Sequence, residues 1–445
     1  MKTNASPATS IVFLCTLLSA CGGGNSSTPP STSSLTGSVS NLTASGLVLS
    51  NGTDTVAVAP YATSVTFPTK MVSGTAYHVS IASQPPGFTD ICVLNNGVGT
   101  VSHSGAPDIA IACHAASAVV TTFAGSGVMG STDGAGTAAS FNSPGRLAVD
   151  ASGNVYVADS GNNLIRKITP AGVVTTLAGS GVPGNKDGTG TAASFNNPGG
   201  VAVDLKGTVY VADSRNNLIR TITPTGVVAT LAGNGSYNSA NGIGAAASFA
   251  FPTDVTVDVA GNVYVADASN NMIRKIAPAG LVTTYAGLGS PDIPAFGNGP
   301  AYAAAFRFPD GITVDAAGNA YVADSQNNSI RKISVAGMVS SIAGDIYAKR
   351  GSANGGGTAA TFSAPNGVAV DVAGSVYVAD SGNNLIRKIA ATGTVTTIAG
   401  NASDSSINGT GVAASFRNPA GLALDASGNI YVSDSGSHLI RKISA

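Results

Sequence analysis

One phrase written six times constrains this chain more than any other feature. Starting at Pro144 it reads PGRLAVDASGNVYVADSGNNLIRKI, and it returns from Pro198, Pro252, Pro309, Pro365 and Pro419. A tyrosine follows the proline by 12 residues each time, at Tyr156, Tyr210, Tyr264, Tyr321, Tyr377 and Tyr431. Repeats of 54 to 57 residues are units that cannot bury their apolar surface alone and must stack on copies of themselves.

Each unit holds four short β-rich runs, at 146–149, 154–158, 164–168 and 173–178 in the first copy. Between the first two lies DASGN, where Gly153 supplies the positive φ of a tight turn. Between the last two lies TPAG, where Pro170 presets φ and Gly172 permits the reversal. These connections are too short for helical crossovers, so the strands form an antiparallel meander. VYVA is apolar at every position, which predicts burial on both sheet faces. Four-stranded sheets sandwiched between neighbours are propeller blades. The ends of the repeat region are out of phase. A fourth-strand pattern stands alone at 119–124, before any proline, and the chain ends after a third-strand pattern at 438–443. Pairing the two completes a sixth blade. The expected fold is all-β: a six-bladed propeller over 117–445, closed by its N-terminal strand and preceded by a small β-sandwich-like domain.

The phrase PxGxAVDxxGNxYVADSxNNxIRKI resembles the NHL repeat over all six copies. That resemblance implies the propeller, and it implies less about activity. NHL propellers serve as extracellular sensors, as protein- or RNA-binding platforms and, in a few cases, as enzymes.

Residues 11–20, IVFLCTLLSA, form an apolar stretch too short to span a bilayer. Leu18-Ser19-Ala20-Cys21 resembles a bacterial lipobox. Residues 1–20 therefore read as a lipoprotein signal peptide, Cys21 as the lipidated residue and 21–36 as a flexible tether. Gly22 after the cysteine resembles lipoproteins sent to the outer membrane. Cys92 and Cys113 then remain as an even pair in an oxidising compartment, where a disulfide is expected. Both lie in a repeat-free segment, 37–115, of short β-prone runs that resembles the Ig-like spacer domains of bacterial surface lipoproteins.

A net charge of −1 argues against a nucleic-acid surface, which needs clustered Lys and Arg. The membrane is reached through the lipid alone, and the protein is expected to be monomeric. Residues that recur six times are scaffold: Asp150, Asp159, Arg166 and their counterparts end strands beside turn amides. Asp133 and Asp187 give way to Asn241, Asn298, Asn354 and Asn408 at the same position, so no carboxylate charge is required there and no calcium is assigned.

Departures from the repeat are where binding is placed. Two loops are enlarged, LGSPDIPAFG and DIYAKRGSA, and they contribute Asp292, Phe296, Tyr347, Lys349 and Arg350. At the start of the first strands, Arg146 and Asp254 replace a glycine, and Asp310 and Asn366 stand one position earlier. These nine residues form the candidate site, a mixed aromatic and charged patch at the channel mouth suited to a polar ligand, a peptide or an envelope or extracellular protein. No cofactor, metal or catalytic residue is assigned. A GxSxG elbow, a phosphate loop and a cysteine nucleophile are all missing from the sequence, and the propeller holds a single histidine, His438. The alternative is a divalent-metal-dependent hydrolase or lyase of the gluconolactonase or streptogramin-lyase type, with Asp254, Asp310 and Asn366 in the channel.

Overall fold

The computed structural model describes residues 31–85, 90–102, 109–115, 117–289 and 297–444. The signal peptide, Cys21, Asp292 and Phe296 lie outside the described residues.

Two four-stranded sheets make the N-terminal domain. In the first, Thr32–Ser40 pairs antiparallel with Ser64–Val72 and parallel with Ile109–Ala115, which pairs in turn with Asp90–Asn95. The second sheet runs Asp54–Val58, Leu47–Asn51, Ala76–Ser83, Val98–Thr100. Leu35, Val39, Ile109 and Ile111 of one sheet share a core with Leu47, Leu49, Tyr77 and Val79 of the other. Cys92 and Cys113 sit opposite each other in the ladder and are disulfide-bonded. Their sequence separation of 21 corresponds to about 3 kcal/mol of lost unfolded-state freedom. The first strand starts inside the stretch read as tether: Thr32 already pairs with Val72. Its alternating burial, centred on Leu35 and Val39, makes it a strand despite its serines.

The repeat region forms six sheets of five strands. Blade one is Leu147–Val149, Val155–Asp159, Leu164–Ile168 and Val173–Ala178 in meander order. A two-residue strand, Gly134–Ala135, pairs with the outer edge, so each blade has one strand more than the expected four. Val155–Asp159 is buried at every position, as its unbroken apolar pattern requires. Blades two to six begin at Gly200, Pro252, Pro309, Pro365 and Pro419. In blade six the fourth strand is Val119–Ala124, lying between Leu439–Ser444 and Gly409–Thr410.

Apolar clusters join each blade to the next. Phe195, Val201 and Val209 of blade two pack on Tyr156, Ile165 and Ala178 of blade one. The cluster of Phe141, Leu147 and Val155 receives Tyr431 and Ile440 and so joins blade six to blade one. Behind each phenylalanine lies a buried ion pair. Arg166 Nη1 donates to Asp159 at 2.8 Å and to the Ser140 carbonyl at 3.1 Å. Its Nη2 donates to Thr132 O and to Asp133 Oδ1, and the guanidinium stands 5.2 Å over the Phe141 ring. Asn241 and Asn408 each offer Arg274 and Arg441 the same oxygen at 2.7 Å. Asp and Asn therefore interchange because the arginine needs an acceptor rather than a charge.

A second recurring link is the strap between blades. Asn163 adopts a left-handed conformation at φ 56°, and its Oδ1 accepts the Asn197 N–H of the next blade at 2.8 Å. Between blades six and one His438 holds that position, with Nδ1 accepting the Ser143 N–H at 3.0 Å.

Candidate binding site at the channel mouth

The first strands line a central channel, and each pairs on one side only. Their inner edges present backbone N–H and C=O groups to a cavity of ≈ 210 Å³. The channel mouth lies where these strands begin, which defines the upper face. The lower face carries the turns that follow the first strands.

Space at the mouth is scarce. A Cβ on Gly311 would fall 2.2 Å from the Asn366 carbonyl oxygen, and one on Gly421 would fall 2.6 Å from Arg146 Cα. Glycine at this repeat position makes room for neighbours, and only two blades place a long side chain there. Arg146 reaches from blade one across the mouth. Its guanidinium lies 2.5 Å from Asp310 Oδ1 in blade four and 3.6 Å from Asp254 Oδ2 in blade three. It donates to the Thr253 carbonyl at 3.1 Å and to Asn366 Oδ1 in blade five. Asp254 is held by two more donors: its own chain neighbour Val255 N–H at 2.9 Å and Ile312 N–H at 3.0 Å. One side chain thus bridges four blades.

Arg146, Asp254 and Asp310 are all buried, with 7%, 6% and 9% of their surface exposed. Two carboxylates face one guanidinium out of water. Burial pushes the Asp254 carboxyl up to about 7, Asp310 adds to the rise, and Arg146 and the two amides oppose it.

Four of the nine residues singled out in the sequence, Arg146, Asp254, Asp310 and Asn366, therefore converge. Tyr347, Lys349 and Arg350 stand apart. Their turn is held by Asp345, which accepts the Tyr347 N–H at 2.8 Å, and by Asn328, which donates to the Ala348 carbonyl at 2.8 Å. Tyr347 is 84% exposed, and Lys349 and Arg350 are exposed too. Among the described residues no hydrogen bond or ion pair joins this turn to the Arg146 cluster, so the expected patch divides into a buried hub and an exposed rim. No group of three or more His, Cys, Asp or Glu side chains is placed to hold a metal ion among the described residues. The sequence signal for the hub was present: Arg146 and Asp254 break a position otherwise kept for glycine, and Asp310 stands one position earlier.

The NHL repeat matches residues 141–168, 195–222, 249–276, 306–333, 362–389 and 416–443. The chain carries six NHL repeats. Each match runs from the buried phenylalanine to the end of the third strand, so the repeat boundary differs from the blade boundary. A protein of Arabidopsis thaliana, Protein SUPPRESSOR OF QUENCHING 1, chloroplastic, is 32% identical over 286 residues, which are 61% of this chain and 27% of that protein. This NHL chain thus spans about a quarter of that relative. Among solved structures, a protein of unknown function from Bacteroides thetaiotaomicron superposes with a TM-score of 0.59 at 18% identity, covering 94% of this chain and 99% of that one. An auxiliary nutrient binding protein from Bacteroides ovatus gives 0.57 at 15% identity, covering 93% and 98%. At such identities the two structures show a shared fold, with NHL propeller and N-terminal sheets together.

Proposed function

We propose that this protein is exported, anchored to the bacterial outer membrane through lipid on Cys21, and built as a closed six-bladed ring that acts as a non-catalytic binding platform. The ring reading is supported by the pairing of Val119–Ala124 with Leu439–Ser444 and by the apolar cluster between blades six and one. The anchor reading rests on the lipobox-like Leu18-Ser19-Ala20-Cys21 and the polar stretch after it. The observation that carries the functional reading is the Arg146 guanidinium. It occupies the hub where Asp254, Asp310 and Asn366 could otherwise hold a divalent ion, and it sets a fixed positive charge among them. Recognition is then left to the rim of the upper face. Tyr347, Lys349 and Arg350 offer an aromatic ring and two cations there to a polar ligand, a peptide or an envelope or extracellular protein.

Elemental analysis of the purified full-length protein after exhaustive dialysis tests this. The platform reading expects no stoichiometric divalent metal. One ion per chain, lost in Asp254→Ala and Asp310→Ala, would overturn it in favour of a metal-dependent hydrolase or lyase.

A further inference from the structure

The lower face also departs from sixfold equivalence, and here the departure is in burial. Tyr156, Tyr264, Tyr321 and Tyr431 keep 4–5% of their surface exposed, whereas Tyr377 keeps 0%. Lys388 is 5% exposed, while Lys167, Lys275, Lys332 and Lys442 are half-buried. The sandwich domain comes down beside blades five and six. Between sandwich and blades lies a crevice of ≈ 690 Å³, walled by Pro85 and Ile91 of the sandwich and by Val370, Val372 and Leu424 of the propeller. Val370 and Leu424 also line the central channel, so the crevice adjoins its lower end. A cavity of this size at a domain junction, with apolar walls and polar groups interspersed, has the form of a small-molecule site.

Most polar groups in the crevice are already engaged. Gln84 exchanges two hydrogen bonds with the Cys92 backbone, at 2.7 and 2.9 Å. Asp90 accepts from the Thr43 N–H at 2.6 Å, the Ala44 N–H at 2.8 Å and the Thr43 hydroxyl. Asp425 Oδ2 accepts from Asn429 at 2.7 Å and Tyr431 at 3.4 Å. Asp371 differs. Asn154, Asn262, Asn319 and Asn429 each donate a side-chain amide to the turn aspartate of their blade, but blade five has Ser375 in that place. Ser375 supplies only its backbone N–H, to Oδ1 at 2.8 Å. Asp371 Oδ2 keeps the Tyr377 hydroxyl at 3.1 Å as donor, which leaves it able to accept one more. Blade two shares the loss, with Thr208 beside Asp204, but Asp204 does not line this crevice.

All three ionisable groups lining the crevice are carboxylates. The nearby cation, Lys388, is held 5.8 Å from the centre of the Tyr377 ring and feels the Asp371 charge, but among the described residues no hydrogen bond or ion pair joins the two, so Asp371 Oδ2 keeps its acceptor position. We propose that the crevice binds a small amphipathic amine. Its apolar body packs between Pro85, Ile91, Val372 and Leu424, and its ammonium donates to Asp371 Oδ2. A charge-assisted hydrogen bond at this point discriminates the amine from a shape-matched alcohol by about tenfold. The site lies on the face opposite Arg146 and does not depend on what the upper face binds.

Methyl NMR of the full-length protein titrated with benzylamine, benzyl alcohol and benzoate tests the assignment. Benzylamine should shift the Ile91, Val372 and Leu424 methyl signals saturably, with the alcohol about tenfold weaker and benzoate weaker still. Asp371→Asn should bring benzylamine down to the affinity of the alcohol, whereas Asp204→Asn should leave it unchanged. Val372→Trp changes a fully exposed side chain within the Asp371–Gly374 turn and leaves the bonded residues Asp371, Ala373, Gly374 and Ser375 in place, and it should abolish the shifts at Ile91 and Leu424. The proposal is overturned if benzylamine gives no saturable shift, if benzoate binds as tightly, or if folded Asp371→Asn binds like the wild type.

Discussion

Arg146, Asp254 and Asp310 put one more negative than positive charge out of water, and that imbalance has a pH signature. Asp254 titrates at about 7 in the folded protein, against about 3.9 in an unfolded chain. A carboxyl with a raised folded pKa holds its proton more tightly when folded. Its stabilising contribution is therefore complete below about pH 4 and is lost as pH rises through about 7. Asp254→Asn removes this titration. In urea denaturation the wild type should lose stability relative to Asp254→Asn between about pH 4.5 and 7.5. A constant difference across that range would show that the Asp254 carboxyl stays ionised throughout. Arg146→Met leaves two buried carboxylates without their cation and should cost about 3–5 kcal/mol at pH 7.5, and less at pH 4.5. The sequence marked these residues as variants of two adjacent repeat positions but could not show that they touch. Arg146 and Asn366 are 220 residues apart, and only the packing of blade against blade brings them together.

The blade was legible almost to the residue, because its strands announce themselves twice, by apolar pattern and by turn chemistry. Leu164–Ile168 and Val173–Ala178 fall where the sequence put them. Two elements were not legible. A two-residue strand such as Gly134–Ala135 is shorter than any hydrophobic period and carries no pattern. The first half of Thr32–Ser40, up to Thr36, reads as a polar tether because only Leu35 and Val39 of the strand's nine residues are buried. The arginine network was visible as recurrence and invisible as contact, and it yields a test of the Asp/Asn exchange. Asp133 Oδ1 accepts from Arg166, and Oδ2 accepts the Thr176 N–H at 3.1 Å. Asp133→Asn keeps an oxygen for Arg166, so it should change stability by no more than about 0.5 kcal/mol. Asp133→Ala leaves the buried guanidinium short of an acceptor and should cost about 1–3 kcal/mol. Chemical denaturation of the two variants decides: equal losses would mean that the charge, not the acceptor, matters.

The whole molecule depends on a strand far in sequence from the blade it completes. Val119–Ala124 leaves the sandwich and enters blade six, where it pairs with Leu439–Ser444 on one side and Gly409–Thr410 on the other. Val120 is buried with Phe416, Val432 and Ile443, and Ala124 with Phe141 and Ile440. This one strand therefore serves the core on both faces of the last blade. The junction of blades six and one is further tied by the His438–Ser143 strap. How the sandwich lies beside blades five and six had no counterpart in the sequence, since that junction pairs a repeated surface with an unrepeated one. The pairing of Val119–Ala124 with Leu439–Ser444 was legible from phase alone. Deleting 117–125 exposes the third strand of blade six along its whole length and removes apolar contacts on both sides. The repeat region without it should melt at least about 10 °C lower than with it, in a broader transition, because the blades then form a row whose ends unfold first. Thermal unfolding followed by circular dichroism measures this directly. A transition as sharp and as high as that of the intact protein would mean that the six blades hold together without the N-terminal strand.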